Sequence, residues 1–327
     1  MSKRCLFIYD QHGWAWDFMT RGIIKNLPDS WTGEKFPIGD IRFLIHNIHY
    51  KEWWNSHDAI WFWNPNLLFH LLKSDERKAN PYSDIPPYPA FLDTNKIEFV
   101  RENNITVGHY GSSNTEGRIL WSTQVGVRHN AFICQKYYDL AMKVAPQFKD
   151  RYNIVHPAVD TEIFYPNPKP HTGFIVGWAG HANWEYKRTY LLDQIKFPIK
   201  MQADWGEKYF IRDRPFEYMA DFYNACDAYI SVSKQEAIPQ PILEASACGL
   251  PVLSTDVGGI SDFLDKEFLC PPYPENEVVK FMNEKLAEWE KNPELRREIG
   301  LRNLKKVMDD WNWKNRTKQI IKEVCEK

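Results

Sequence analysis

Two glutamates eight positions apart, Glu236 and Glu244, stand in a stretch from Ser233 to Gly259 whose residue types suit ligand chemistry. Carboxylates accept paired hydrogen bonds from vicinal hydroxyls, such as those of a sugar or a ribose. Between the two, Pro239 and Pro241 fix the approach to a short helix, with Pro241 at a first-turn position where a missing N–H costs nothing. A helix start carries unpaired N–H groups and partial positive charge, which fits a diphosphate. Gln240 and Ile242 can supply N–H groups there; the prolines cannot. Gly249 ends the helix, Leu250 and Pro251 turn the chain, and PVLST reads as the next buried strand. Gly258 and Gly259 permit a tight turn or a close backbone approach to a ligand. Either glutamate alone reads most simply as a solvated surface residue. The ordered set of serine, carboxylates, prolines and glycines favours a site.

A second feature runs from Ile175 to Arg188. Gly177 and Gly180 allow a close turn after an apolar strand, and Lys187 or Arg188 can neutralise phosphate. Near the start, Gly13 follows the first strand, with His12, Trp14 and Asp17 placed either to meet a ligand or to pack the turn. His109 follows another strand in TVGHYGSS, where Gly108, Gly111, Ser112 and Ser113 favour a flexible or ligand-facing loop. Arg128 offers a further anion contact.

These residues need α/β units to hold them. RCLFIYD reads as a strand, QHGW as a turn and AWDFMTRGIIKNL as a helix with its apolar residues on one side. IRFLIH, DAIWFW, KIEFV and NITVGHY follow as short strands, with NPNLLFHLLKSD as a helix and NPYSDIPPYPAFLD as a Pro-rich loop. NAFICQKYYDLAMKVA reads as one helix before the strand YNIVHP. Prolines and polar residues gather from 157 to 171 and mark a domain boundary. A second unit repeats the alternation through TGFIVGWAG, IKMQADW, FEYMADFYNACD, AYISVS, PILEASACG and PVLST. Charged helices close the chain, one of them starting at Pro293.

Composition narrows the class. The chain has 327 residues, 43% of them hydrophobic and 26% charged, the mixture of a folded globule large enough for two cores. A net charge of -2 provides no field to gather a polyanion, so nucleic acid is disfavoured as a partner. No segment reaches the ~18 apolar residues of a membrane span, and the apolar run at the N-terminus is too brief for a signal peptide. A cytoplasmic protein is expected, with peripheral membrane contact left open. The six cysteines are scattered without zinc-like spacing, and Cys226 and Cys248 read as core residues. No Asp-x-Asp occurs, so metal-independent chemistry is expected, with no metal ligands assigned. RCLFIYDQHGW lacks the G-x-G-x-x-G of a dehydrogenase. The 14 Trp, several of them clustered from Trp53 to Trp63, suit either a sugar-stacking cleft or the packing of the first domain.

The run from Glu236 through Glu244-Ala245 and Gly249-x-Pro251-Val252 to Gly258-Gly259 resembles the site of glycosyltransferase family 4. Ala237 departs from the small polar residue or glycine usual after the first glutamate. Val159, Asp160, Phe164 and Pro166 match the family's interdomain element, where Pro157 and Ala158 replace the usual Asn-Gly. The resemblance covers essentially the whole chain, more securely from residue 153 onward. It implies an α/β GT-B fold: two Rossmann-like domains facing a central cleft, with a C-terminal helix crossing back to the first. The expected domains are 1–160, binding the acceptor, and 161–327, binding the nucleotide sugar and carrying the crossover helix.

The resemblance also implies roles. Glu236 contacts the transferred sugar, Glu244 the ribose, and Lys187 the leaving diphosphate. Gly180, His181, Arg188, Gln240 and Ile242 complete the nucleotide side, together with Gly13 as the glycine turn of the first domain. His181 stands where the family commonly has Arg, a weaker and pH-dependent charge that Arg188 or Arg212 could offset. His109 resembles the family's active-site histidine. The implied activity is retaining transfer of a hexose-like sugar from a nucleotide diphosphate sugar, UDP- or GDP-linked, to a glycan or lipid-linked glycan, with no cofactor. Two alternatives stay open: a noncatalytic nucleotide-sugar-binding protein, and transfer to a small molecule or nucleic acid base.

Overall fold

The computed structural model describes residues 2–10, 15–41, 49–72, 100, 103–110, 115–202 and 217–326. Two compact units divide the chain, one formed by Met1–His156 with Lys314–Lys327 and the other by Pro157–Trp313.

The first unit is built on a six-stranded parallel sheet. Its strands are β1 (Lys3–Tyr9), β2 (Trp31–Pro37), β3 (Ala59–Phe62), β4 (Ile105–His109), β5 (His129–Phe132) and β6 (Tyr152–Ile154), in the order β2-β1-β3-β4-β5-β6. The central strands β1, β3, β4 and β5 are almost wholly buried, as parallel strands covered on both faces must be. Helices such as Ala15–Lys25, Thr115–Val125 and Gln135–Val144 connect them. The last helix, Trp313–Ile320, brings the chain back to this unit, where Gln319 Nε2 donates to the carbonyl of Ile154.

The second unit holds β7 (Val176–Ala179), β8 (Ile199–Gln202), β9 (Ala228–Ser231), β10 (Val252–Thr255) and β11 (Leu269–Cys270), all parallel in the order β11-β10-β9-β7-β8. Its core packs Trp178, Ile230 and Leu253 of the sheet against Met282, Leu286 and Trp289 of the Glu275–Lys291 helix. Asn292 caps the next helix, Pro293–Asp309, by accepting from the Leu295 N–H.

Several segments differ from the sequence expectation. NAF completes β5 rather than opening a helix, and the helix starts only at Gln135. The strand WTGEKFP, β2, has charged residues and a glycine where strand patterning looks for apolar ones; it lies at the end of the sheet, where one edge needs no strand partner. Ile41 ends a short helix instead of starting a strand, and the rest of IRFLIH lies outside the described residues, as do residues 96–99 of KIEFV. Trp54, Trp61 and Trp63 are buried in the first unit, with Trp63 Nε1 donating to Thr20 Oγ1 at 2.6 Å. That cluster packs the domain. PPYPAF lies outside the described residues. Gly108 is packed too: a Cβ there would meet the Tyr110 ring at 2.7 Å and the Trp63 carbonyl at 3.0 Å. Among the described residues no helix is long and apolar enough to cross a membrane.

Candidate active site

In a parallel sheet the loops that leave the C-terminal strand ends share one edge, and ligands bind there. In the second unit the neighbours β7, β9 and β10 deliver Gly180, Ser233–Glu236 and Gly258 to that edge. Gly258 has φ 61, and a Cβ on it would lie 2.0 Å from the Ala237 carbonyl oxygen and 2.4 Å from that of Glu236. Gly258 therefore serves a close approach between loops. Gly259 N–H completes the contact by donating to the Ala237 carbonyl at 2.8 Å.

Glu236 is thereby held against Lys187. The Lys187 ammonium donates to Glu236 Oε1 at 2.5 Å and the Ser233 hydroxyl donates to the same oxygen at 3.0 Å. The two charged side chains are 11% and 13% exposed, so water screens the pair less than it would at the surface. Gly180 adjoins the pair: a Cβ there would lie 3.7 Å from Lys187 Cε. His181 stacks on Trp184 with ring centroids 4.1 Å apart. Burial and the Lys187 charge both lower its pKa, which leaves the imidazole neutral at neutral pH. It therefore supplies no standing positive charge.

The helix Gln240–Ala247 follows the Glu236 loop. It ends in a Schellman turn: Gly249, at φ 80, donates to the Ser246 carbonyl and Leu250 to that of Ala245. Gly300 is needed to seat the Pro293–Asp309 helix on that turn, since a Cβ there would meet the Gly249 carbonyl at 2.0 Å. At the helix start the expectation for Ile242 needs correction. Its N–H donates to the Pro239 carbonyl at 3.1 Å and its side chain is buried, so it has no amide to offer a ligand. The Gln240 Nε2 group, by contrast, is buried without a hydrogen-bond partner among the described residues. Glu244 is half-buried and accepts a 2.6 Å hydrogen bond from the Tyr223 hydroxyl. Burial pushes its carboxyl up to about 7, against the restraining effect of that hydrogen bond. Tyr223 was not foreseen: it comes from the Glu217–Asn224 helix, and no sequence spacing links it to Glu244.

A family model described as glycosyl transferase-like matches residues 182–322, which takes in Lys187, Glu236 and Glu244. Among solved structures, Alr3699/HepE of Anabaena, in complex with UDP and glucose, is similar with a TM-score of 0.71 and 12% identity, over 99% of each chain. The sucrose-phosphate synthase of Thermosynechococcus elongatus gives 0.69 and 13% identity, over 98% of each. The fold is GT-B. A D-inositol 3-phosphate glycosyltransferase of Catenulispora acidiphila is 25% identical over 34% of this chain, and the match spans 37% of that relative's length. The solved structures share the fold of the whole chain, and the likeness to a glycosyl transferase-like family covers residues 182–322.

Within the GT-B architecture the other expected site residues have distinct surroundings. His109 belongs to the first unit, at the end of β4, and is 3% exposed. Its Nε2 lies 2.9 Å from Asn130 Oδ1, which also accepts from the Ser122 hydroxyl at 2.6 Å, and its ring stacks on Phe132. Burial lowers its pKa to about 4, so it is a neutral imidazole. Asp17 is buried between Arg21 and Lys35. Arg128 is exposed. Gly13, His12, Trp14 and Arg212 lie outside the described residues, as do Gly111, Ser112 and Ser113. Arg188 is buried with its guanidinium turned to backbone carbonyls, so the expected phosphate contact is replaced by contacts within the protein.

Proposed function

We propose that the chain is a retaining glycosyltransferase that moves a hexose-like sugar from a UDP- or GDP-sugar to a carbohydrate-containing acceptor, a glycan or lipid-linked glycan, as the resemblance to glycosyltransferase family 4 implies. The observation that carries the reading is the Lys187–Glu236–Ser233 contact on the same edge of the second unit as the helix bearing Glu244. Glu236 accepts hydroxyls of the transferred sugar and Glu244 those of the ribose. Lys187 moves from Glu236 to the leaving diphosphate and stabilises the charge that grows there. Gln240 adds its backbone N–H beside the phosphates, and Gly180 gives the backbone room to approach them. The unit Met1–His156 receives the acceptor.

In the retaining step the bond from the anomeric carbon to the diphosphate oxygen breaks. The acceptor oxygen bonds to that carbon on the same face, and its proton passes to the departing phosphate. Lys187 and the helix start carry the electrostatic work, which makes the proposed transfer independent of a metal. The likeness to HepE, solved with UDP and glucose, favours a UDP-sugar. Binding of a nucleotide-sugar panel, followed by acceptor trials with the tightest binder and determination of the product anomer, tests the reading. An inverted product overturns retention. Tight binding without hydrolysis or transfer across the panel identifies a noncatalytic binding protein instead.

A further inference from the structure

Arg188 follows Lys187 directly, and no step above uses it. Its backbone is left-handed, φ 50 and ψ 44, a region that a residue with a Cβ enters only when its surroundings hold it there. The holding contacts come from its own guanidinium, in a residue 1% exposed. Nε donates to the Val232 carbonyl at 2.7 Å, Nη1 to that of Pro272 at 2.6 Å and Nη2 to that of Ser233 at 3.3 Å. The Tyr273 ring lies 5.4 Å away and Glu275 3.6 Å away. Val232 and Ser233 follow β9, and Pro272 follows β11. Ser233 is also the residue whose hydroxyl donates to Glu236, and its carbonyl accepts from Thr255 Oγ1 at 2.5 Å, at the end of β10.

We infer that Arg188 is a positioning residue: it ties the turn carrying Lys187 to the loop carrying Ser233 and Glu236, and thereby sets the contact between Lys187 and Glu236. The inference rests on the proposed nucleotide-sugar site. A planar fork with five N–H groups meets carbonyls of two loops at once, which the single ammonium of a lysine cannot match. Two consecutive cations thus serve one site differently: Lys187 faces the carboxylate, and Arg188 braces the loop from behind.

The test uses Arg188→Met and Arg188→Lys in the full chain. One measurement is the rate of reductive methylation of Lys187 by mass spectrometry, with Lys305, 76% exposed, as internal reference. The other is kcat and KM for donor hydrolysis or transfer. Arg188→Met should raise Lys187 reactivity several-fold relative to Lys305 and lower kcat by about 100-fold, the scale of a small misplacement of reacting groups. KM should change by less than about threefold, and Arg188→Lys should recover part of the loss. Unchanged Lys187 reactivity and kcat in both variants overturn the inference. So does a parallel rise at Lys187 and Lys305, which marks general loosening, or failure of both variants to fold, which makes Arg188 a folding determinant. If the unsubstituted protein binds no nucleotide sugar, the proposed site fails, and the methylation ratio still judges whether Arg188 holds Lys187.

Discussion

Replacing Glu244 by Gln should make the protein more stable and its nucleotide affinity lower. Tyr223 donates to Glu244 Oε2, and a Gln carbonyl in the same place can accept that bond. What changes is the charge. The folded protein raises the Glu244 pKa from an ordinary 4.5 to about 7, so between these values the native state binds more protons than the unfolded chain. The stability associated with this group is therefore fully present below pH 4.5 and is lost as pH rises through 7. The gap corresponds to about 3 kcal/mol, at about 1.4 kcal/mol for each tenfold change in proton affinity. Glu244→Gln carries no such penalty. At pH 8.5 it should unfold at a temperature higher by up to about 6–10 °C, and at pH 4.5 the two proteins should nearly coincide. Ribose hydroxyls favour the carboxylate form, so at pH 7 nucleotide binding should release about half a proton from the unsubstituted protein and none from Glu244→Gln. Melting curves at both pH values, and calorimetric titration of UDP in buffers of differing ionisation heat, measure these effects. Parallel pH dependence of melting in the two proteins, or equal proton release, refutes the reasoning.

Lys187→Ala should lower kcat/KM by about 10²–10³-fold, the cost of removing a group that stabilises developing charge, as steady-state kinetics will read. Glu236→Gln should narrow the affinity gap between the complete nucleotide sugar and the sugar-free diphosphate in direct binding measurements, because the substitution weakens hydrogen bonding to the sugar hydroxyls alone. Gly258→Ala places a Cβ against two carbonyls in a left-handed turn and should cost about 3 kcal/mol in denaturant unfolding. The imidazole NMR signals of His109 should stay in their neutral positions from pH 8 down to about pH 5, given its pKa of about 4; a titration near 6.5 would show that burial does not govern it.

How far the sequence revealed this arrangement depended on whether backbone or side-chain direction was at issue. The helix from Gln240, its end at Gly249 and the strand at PVLST were legible because proline and glycine constrain the chain locally. The pairing of Lys187 with Glu236 was legible only as two residues assigned to one ligand; their direct contact spans 49 positions and comes from the order of β7 and β9. Gly258 was open to two readings, and the choice between ligand and loop needed the position of the Ala237 carbonyl. The amide of Ile242 looked available because Pro241 has none, yet the Pro239 carbonyl takes it. β2 escaped because a terminal strand tolerates the charged residues that patterning excludes.

Lys187 and Arg188 show most clearly why residue type alone under-determines a phosphate site. Both are cations beside a glycine turn, and either suits a diphosphate by charge. The difference lies in the left-handed backbone at Arg188, where a short helical turn reverses and the guanidinium enters the loops behind Glu236. With His181 neutral and Arg188 engaged, Lys187 is, among the described residues, the cation placed beside Glu236. In the proposed site a nucleoside diphosphate without its sugar would take Lys187 and leave the Glu236 carboxylate with the Ser233 hydroxyl alone from this cluster. In the proposed function a complete nucleotide sugar would supply phosphate to Lys187 and hydroxyls to Glu236 together, so the ammonium would keep an anion and the carboxylate would keep hydrogen-bond donors. Under that proposal the pair would couple recognition of the sugar to capture of the leaving group, and the coupling would depend on the inferred Arg188 brace that keeps the two residues within reach of each other.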